Sequence, residues 1–538
     1  MRVEYRTDDG STSLRAGWLV LITCAAVSLV VAGIAALNTA LPDIAADTGA
    51  TTGQMTWILD SYTLILAALL LPAGAIGDRF GRRGVLLIGL VVFGLGSLAA
   101  IWVDGPTALI VTRFVTGAGA ALIMPTTLSL ITAGVPKDKR AFAISVWAAV
   151  AGVGAIAGFF VTGVLLNYFH WHSVFITFAA STALVFGLVL TIGSSKDEHP
   201  GSFDVIGSLT STAAIAGVVF GLLEGPHRGW TDPLVLSCLC VGVVLVAVFI
   251  VVERRRTDPL LDVDLFGNRA FAAGSLSVML QFLASFGLFF LILQQLQLVF
   301  GYSPLKSAVA LFPLVVGVGS FALIGNWVAV RFDSLRFVIS IGIGVTAAGV
   351  IALGVFDIDV YWKVAVMLGV CAVGMGLAMA PSTTAIMSNT PVDNQGVGSA
   401  VNDTAREIGA AIGIALAGSI MAAGYESRIG PTADAAAAQI SRIDPDAAAV
   451  ADEAIRNSMA GAVKVSDELG PMASSLADEI TAGARAAFEE PLQTSFVVLG
   501  SVLAVGAVFL GWFTPLKVVD DAVADPSQHP APSQHPDD

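Results

Sequence analysis

Residues 57–83 read WILDSYTLILAALLLPAGAIGDRFGRR. From Ser61 to Gly77 the stretch holds no charged side chain, and it then meets Asp78, Arg79, Arg82 and Arg83 in close succession. A helix needs ~20 predominantly apolar residues to cross the hydrocarbon core of a bilayer, where backbone amides find partners only within the helix itself. Residues 54–76 meet that requirement, and the arginines after them hold the end of the span among headgroups on the cytoplasmic side. A polytopic membrane protein is therefore expected wherever this pattern recurs, and it recurs along the whole chain.

Composition agrees. The 538 residues are 56% hydrophobic and 13% charged, with a mean hydropathy of +0.82, which excludes an ordinary soluble globule. Cys24, Cys238, Cys240 and Cys371 all lie in apolar stretches, so neither a disulfide framework nor a zinc site is expected. The first apolar stretch, 17–41, is too long for a signal-peptide core and reads as a true span. The net charge of −14 is concentrated in one place: residues 424–491 hold twelve acidic and five basic side chains.

Fourteen spans are predicted, near 17–41, 54–76, 85–103, 107–132, 141–166, 173–193, 205–223, 232–252, 270–299, 305–329, 336–356, 362–386, 397–423 and 492–514. An even number places both termini on one side. The loops of that side carry Arg79, Arg82, Arg83, Lys137, Lys139, Arg140, Lys196, Arg254, Arg255, Arg256, Arg269, Arg331 and Arg336, so the termini are expected in the cytoplasm. The expected organisation is a cytoplasmic tail (1–16), a six-helix bundle (17–193), two linker spans (205–252) and a second six-helix bundle (270–514). Within the second bundle, 424–491 reads as an extracytoplasmic loop with two or three short amphipathic helices, one of them capped by Asp444 or Asp446. It is a solvated connector or a lid over the exit. Residues 515–538, with Ser-Gln-His-Pro twice, read as a disordered cytoplasmic tail. A pseudo-repeat supports two bundles, since Arg79-Phe80 after the second span matches Arg331-Phe332 after the tenth.

Charge inside hydrocarbon costs ~2.5–3.5 kcal/mol even on lenient scales, so buried ionisable groups are functional candidates. Five are expected: Asp60, Arg113, Asp403, Arg406 and Glu407. Asp60 and Arg113 fall at similar depth in spans two and four and are expected to pair or to share a polar cavity. Asp403, Arg406 and Glu407 share one face of span thirteen, where two carboxylates cannot both ionise cheaply and one is expected to hold a proton. The competing reading is a structural ion pair with Arg406. Trp57, Tyr62, Trp147, Phe286 and Phe289 are candidates to stack on a flat cation in the same cavity, although aromatics in spans also serve simple packing.

The run Gly74-x-x-x-Asp78-Arg79-x-Gly81-Arg82-Arg83 between spans two and three resembles the loop signature of the major facilitator superfamily. Residues 57–67, 123–130, 258–266, 295–304 and 399–409 look like its fourteen-span drug:proton antiporter family, of the quaternary-ammonium and fluoroquinolone efflux type. The resemblance implies an all-α fold of two six-helix bundles plus two extra helices. It makes Gly74, Asp78, Arg79, Gly81, Arg82 and Arg83 a conformational latch. Gly152, Gly154, Gly158 and Gly163 become the glycines of a bending fifth span, and Asp403 and Glu407 become proton or substrate residues. Some positions depart from the family pattern. Gly33 stands where an aspartate is usual, although Asn38 of that motif remains; Thr116 replaces a glutamine, Phe159 a proline, Thr162 a glycine and Val318 an acidic residue.

The expected function is a proton-coupled multidrug antiporter of a bacterial cytoplasmic membrane, exporting lipophilic, cationic compounds by alternating access. Alternatives are an exporter of lipid or another neutral amphiphile, favoured by Gly33 and Val318, and a transport-deficient sensor or assembly partner. Protons, a lipophilic small molecule and membrane lipid are the expected partners of a monomer, with no nucleic acid and no cofactor. An enzyme is not expected, because His170, His172, His199, His227, His529 and His535 lie in loops or the tail and form no nucleophile or metal constellation.

Overall fold

The structure is a computed structural model that describes residues 9–516 apart from 104, 194, 196–202, 443 and 471–472. The described residues form helices and no strand. The first bundle is built from α1 (Asp9–Thr48), α2 (Thr52–Phe80), α3 (Arg82–Ala99), α4 (Pro106–Gly134), α5 (Lys137–Tyr168) and α6 (His172–Val189). Two further helices follow, α7 (Val205–Arg228) and α8 (Pro233–Glu253). The second bundle contains α9 (Arg269–Gln294), α10 (Pro304–Ala310), α11 (Phe312–Arg331), α12 (Leu335–Val355), α13 (Tyr361–Ser388), α14 (Gln395–Ile440) and α17 (Ser474–Phe513), with α15 (Pro445–Asn457) and α16 (Met459–Leu469) between its last two members.

Thirteen of these helices are long and apolar enough to cross a membrane, and α5, bent by 40° between Gly152 and Ala157, makes a fourteenth span. Local chemistry sets their ends. Thr51 and Gln54 cap α2 reciprocally, while Asp204, Asp232, Asn268 and Ser303 cap α7, α8, α9 and α10 by accepting backbone N–H groups left over in the first turn. The tail assigned to 1–16 is shorter than expected, because α1 already begins at Asp9; the cytoplasmic tail assigned to 515–538 lies almost wholly outside the described residues.

The bundles meet along two seams. On one, α14 packs against α2 and α4; on the other, α5 packs against α11 and α13. Helix α7 leans on α2 and α14, and α8 packs chiefly on α7, presenting Leu236, Val243, Val244 and Val248 outward. An apolar helix with so little protein around it is solvated by lipid.

Residues 424–491 differ most from their sequence reading. The two short helices are there, α15 capped by Asp444 as expected and α16 after it, but they do not hang in a loop: α14 runs on to Ile440 and α17 already begins at Ser474. Forty-six residues of α14 are about 69 Å long, more than twice a ~30 Å hydrocarbon core, so the helix projects well beyond it. Alanine favours the helix, and Ile429, Ala433, Ala436 and Ile440 form a buried stripe at alternating four- and three-residue steps. Leu476, Ile480, Ala484 and Phe488 of α17 complete the hairpin, and Asp444 caps α15 above it. The twelve acids lie around this small core, partly paired, as in Arg428–Glu490 at 2.5 Å and Arg456 with Asp434 and Asp452.

Candidate functional site

Helix α14 carries the charges between the bundles. Asp403, Arg406 and Glu407 are buried on it, at 0%, 1% and 6% exposure. The Arg406 guanidinium sits between two aromatic rings, 4.6 Å from the centre of Trp147 on α5 and 4.9 Å from that of Phe282 on α9. Its Nε is 3.9 Å from Asp403 Oδ1, too far for a hydrogen bond, and its three nitrogens have no hydrogen-bond partner. Asp403 Oδ1 accepts from Asn402 Nδ2 at 3.0 Å, while its Oδ2 is unpartnered. Buried polar groups in folded proteins are nearly always satisfied, by protein or by water, so this concentration of open donors and acceptors marks a candidate site.

Arg406 and Glu407 open onto a cavity walled by Val31 and Ile34 of α1, Met124 of α4, Gly152 of α5, Ser285, Phe286 and Phe289 of α9, Val318 of α11 and Met375 and Met379 of α13. Apart from the charged wall and the Ser285 hydroxyl, the lining is apolar. The space that water can reach is about 40 Å³, room for roughly three waters, so this conformation is closed around the site. A larger groove of about 430 Å³ lies outside the α1/α5 wall, between α1, α5 and α6 at the bend of α5.

The sequence candidates divide accordingly. Phe286 and Phe289 line the cavity, their rings edge to face at 6.4 Å. Trp147 is wholly buried; it holds Arg406 and donates Nε1 to Thr127 Oγ1 at 3.1 Å. Tyr62 and Trp57 are elsewhere. Tyr62 donates to the Val30 carbonyl at 2.9 Å inside the first bundle, and Trp57 faces Phe220 of α7 at 5.7 Å.

The expected pairing of Asp60 with Arg113 is absent. Arg113 instead donates to the carbonyls of Ile58, at 3.1 Å, and Gly33, at 2.9 Å, and lies 4.2 Å over the Tyr62 ring. Gly33 thus meets the guanidinium with its backbone carbonyl alone. Asp60, on the other side of Ile58, is left half-buried.

Gly74, Asp78 and Arg82 join the two bundles at the arginine-bearing end. Asp78 accepts from Gly396 N at 2.7 Å and Val397 N at 3.1 Å, the first free amides of α14, and from Arg82 Nε at 2.8 Å and Nη2 at 2.7 Å. A carboxylate there satisfies orphan donors and the positive end of the helix dipole together. The approach needs two glycines: a Cβ on Gly74 would lie 2.4 Å from Gly396 O, and one on Gly396 would lie 2.5 Å from Gly74 O. Gly81 takes φ 104°, which only glycine adopts readily, and turns the chain from α2 into α3. Arg83 Nη2 reaches the Leu190 carbonyl at 2.7 Å, and Arg79 lies 5.7 Å over the Phe80 ring. The second bundle keeps only part of this: Arg331 lies 5.7 Å over Phe332, and Asn326 crosses to the first bundle by donating to Ala141 O of α5 at 2.7 Å.

On α5, Cβ atoms added to Gly152, Gly154 and Gly158 would meet Met379 at 3.1 Å, Val31 at 3.3 Å and the Ala32 backbone at 2.9 Å. Gly163 faces Leu305 at 3.4 Å. The helix bends although Phe159 replaces the family's proline.

Sequence reading missed Glu224, buried near the end of α7, because the seventh span was ended one residue before it; the Glu-Arg spacing to Arg228 was the available signal. It also missed the polar cluster behind the cavity, where Gln281 Nε2 donates to Ser277 Oγ at 3.1 Å and Ser382 Oγ at 3.3 Å. Uncharged residues carry no such signal in an apolar sequence.

A profile of the Major Facilitator Superfamily matches residues 23–414. The chain is 32% identical over 398 residues to the multidrug resistance protein Stp of Mycobacterium tuberculosis, covering 73% of this chain and 74% of Stp. It is 31% identical over 518 residues to the multidrug efflux pump LfrA of Mycolicibacterium smegmatis, covering 95% and 98%. Its structure is similar to that of the proton:xylose symporter XylE, with a TM-score of 0.57 and 14% identity over 94% of this chain and 97% of that one, a likeness of fold alone. The chain is thus a multi-pass transporter rather than an enzyme, and it belongs to the major facilitator superfamily, in the family of the multidrug resistance and efflux proteins Stp and LfrA.

Proposed function

We propose that this protein is a proton-coupled antiporter that exports lipophilic, mostly cationic compounds across the bacterial cytoplasmic membrane, with both termini in the cytoplasm. The observation that carries the reading is the unfinished charge cluster of Asp403, Arg406 and Glu407 on the wall of an apolar, phenylalanine-lined cavity between the two bundles. An ionised carboxylate there attracts a cation and releases it on protonation, while Phe286 and Phe289 offer ring faces to a flat one. Arg406, held between Trp147 and Phe282, moderates the charge of the pair. Relatives named for multidrug efflux and resistance support export of drug-like molecules.

In this mechanism the Asp78 latch holds the bundles together on the cytoplasmic side. Protons reach the carboxylates from outside, displace the cargo there, and leave inside once the latch has opened. Closed, the cavity admits only water; substrate binding requires the bundles to part.

A neutral amphiphile, including a lipid, is the second reading of the cargo, and Val318 favours it: the cavity wall is apolar where the family pattern is acidic. Inverted vesicles decide between the two. Proton release measured on adding ethidium, methyl viologen or a fluorescent lipid is expected with the cations, and loss of that signal in Asp60→Asn and Glu407→Gln is expected with it. Unaltered proton coupling in both variants would overturn the antiporter mechanism, and a response to lipid alone would move the cargo to the second reading.

A further inference from the structure

We infer that Glu224, on the first of the two helices outside the bundles, is an outer relay through which a proton reaches Asp60. The inference rests on the antiporter reading above, and it gives the extra helix pair a part in transport. Helix α7 packs along α2 in the opposite direction, and the Phe220 and Trp57 rings, 5.7 Å apart, mark a common level. Asp60 lies one turn inward of Trp57 and Glu224 one turn outward of Phe220, so the two carboxylates are separated by roughly 10 Å along the helix axes.

Glu224 is 7% exposed, yet its one strong partner, Arg228 Nε at 2.5 Å, belongs to a side chain 46% exposed to the surroundings. An ion pair kept for helix stability gains a few tenths of a kcal/mol on the surface, roughly 0.2–0.5, and needs no burial of its carboxylate. Burying one member against apolar helices costs more than such a pair returns. The arrangement instead suits a carboxylate that exchanges a cation for a proton at the boundary.

The groups around it are few. Asp60 lies on the neighbouring α2, His227 and Arg228 follow Glu224 one turn on along its own helix, and Asp232 caps the start of α8. Helix α14 meets the end of α7 with neutral contacts, Trp230 Nε1 to Ser419 Oγ at 2.9 Å and Pro226 against Gly418. A proton from outside neutralises Glu224 and frees Arg228. It then passes through intervening water to the Asp60 carboxylate, after which Glu224 ionises and recaptures Arg228. No bond to carbon changes, and the proton count is conserved at each step.

The test uses the full chain in proteoliposomes, with ethidium as the probe and an imposed proton gradient, read across a range of external pH. Glu224→Gln is expected to lower proton-driven ethidium transport on the order of a hundredfold, with Glu224→Asp restoring most of it. Arg228→Gln is expected to move the external-pH optimum upward by about one unit, because the cation that favours the ionised carboxylate is gone. A wild-type rate and pH profile in Glu224→Gln overturns the relay. If that variant does not fold, as judged by size-exclusion chromatography, an unshifted optimum in Arg228→Gln overturns it instead. Asp60→Asn, run in parallel, separates the two levels: loss of coupling there with none in Glu224→Gln rejects the relay alone, and retained coupling there rejects the Asp60 route and the relay with it.

Discussion

Two side chains set the character of this transporter, one by its presence and one by its lack. Asp78 satisfies the first amides of α14 and a buried arginine at once. Removing one member of a buried pair costs about 3–5 kcal/mol, so Asp78→Asn is expected to open the cytoplasmic seam and to lower ethidium efflux from cells by at least about tenfold, with 1.4 kcal/mol per decade. Efflux at the wild-type rate would show that the latch does not limit transport. Gly33 acts through what it leaves out, since Arg113 is held by backbone carbonyls where a carboxylate is usual in the family. A Cβ at this position meets Tyr62 Oη and the Phe93 ring at an ordinary 3.4 Å, so the backbone there admits a side chain and Gly33→Asp is the variant to make. It is expected to raise transport of the dication methyl viologen relative to ethidium, measured in the same vesicles; an unchanged ratio would sever the link between position 33 and cargo charge. Both residues stand out in the sequence, Asp78 by its motif and Gly33 by its departure from one. The donor set that replaces the missing carboxylate does not, because backbone carbonyls are present at every position and only packing selects two of them.

Among helices, contact distance is the variable that matters, since lipid offers no hydrophobic gain for association and van der Waals packing must supply it. The α2/α14 seam depends on Gly74 and Gly396 facing one another without side chains. Gly396→Ala would bring a Cβ to 2.5 Å from Gly74 O and 2.7 Å from Asp78 Cγ, forcing the helices apart. Overpacking of this kind costs typically about 1–3 kcal/mol, and a lower melting temperature together with loss of efflux is expected in detergent-solubilised protein; a melting curve identical to wild type would mean that the seam is open in solution. Helix α5 shows the same principle. It bends by 40° without a proline, because Gly154 and Gly158 admit Val31 and Ala32 of α1 on one side while Gly152 faces Met379 on the other. Apolar length located nearly every span in advance, but it misread the stretch after Met421. Prolines at 431 and 491 and a high charge suggested breaks, whereas the observed helices run through both prolines, held by the stripe of Ile429, Ala433, Ala436 and Ile440.

Over the whole molecule, the placement of charge decides orientation, and orientation decides which way cargo moves. The acidic hairpin of α14–α17 and the arginine-rich loops lie at opposite ends of the helices, so labelling tests the proposed topology directly. Val450→Cys, 70% exposed on α15, is expected to react with a membrane-impermeant maleimide in intact cells. Val392→Cys, 69% exposed beside the latch, is expected to react only after permeabilisation. The reverse pattern would invert the direction of transport. Hydrophobic length, helix caps and the positive loops were legible in the chain because each depends on neighbours a few residues away. The carboxylates of α14 were legible too, since charge in an apolar run is conspicuous whatever it touches. Tertiary structure alone decided that Arg406 lies between Trp147 and Phe282, that Arg113 turns from Asp60 to backbone, and that Glu224 is buried. Those outcomes depend on which helix faces come together, and that is set by the close approach of small residues distant in sequence, a property of the packed bundle that no local pattern encodes.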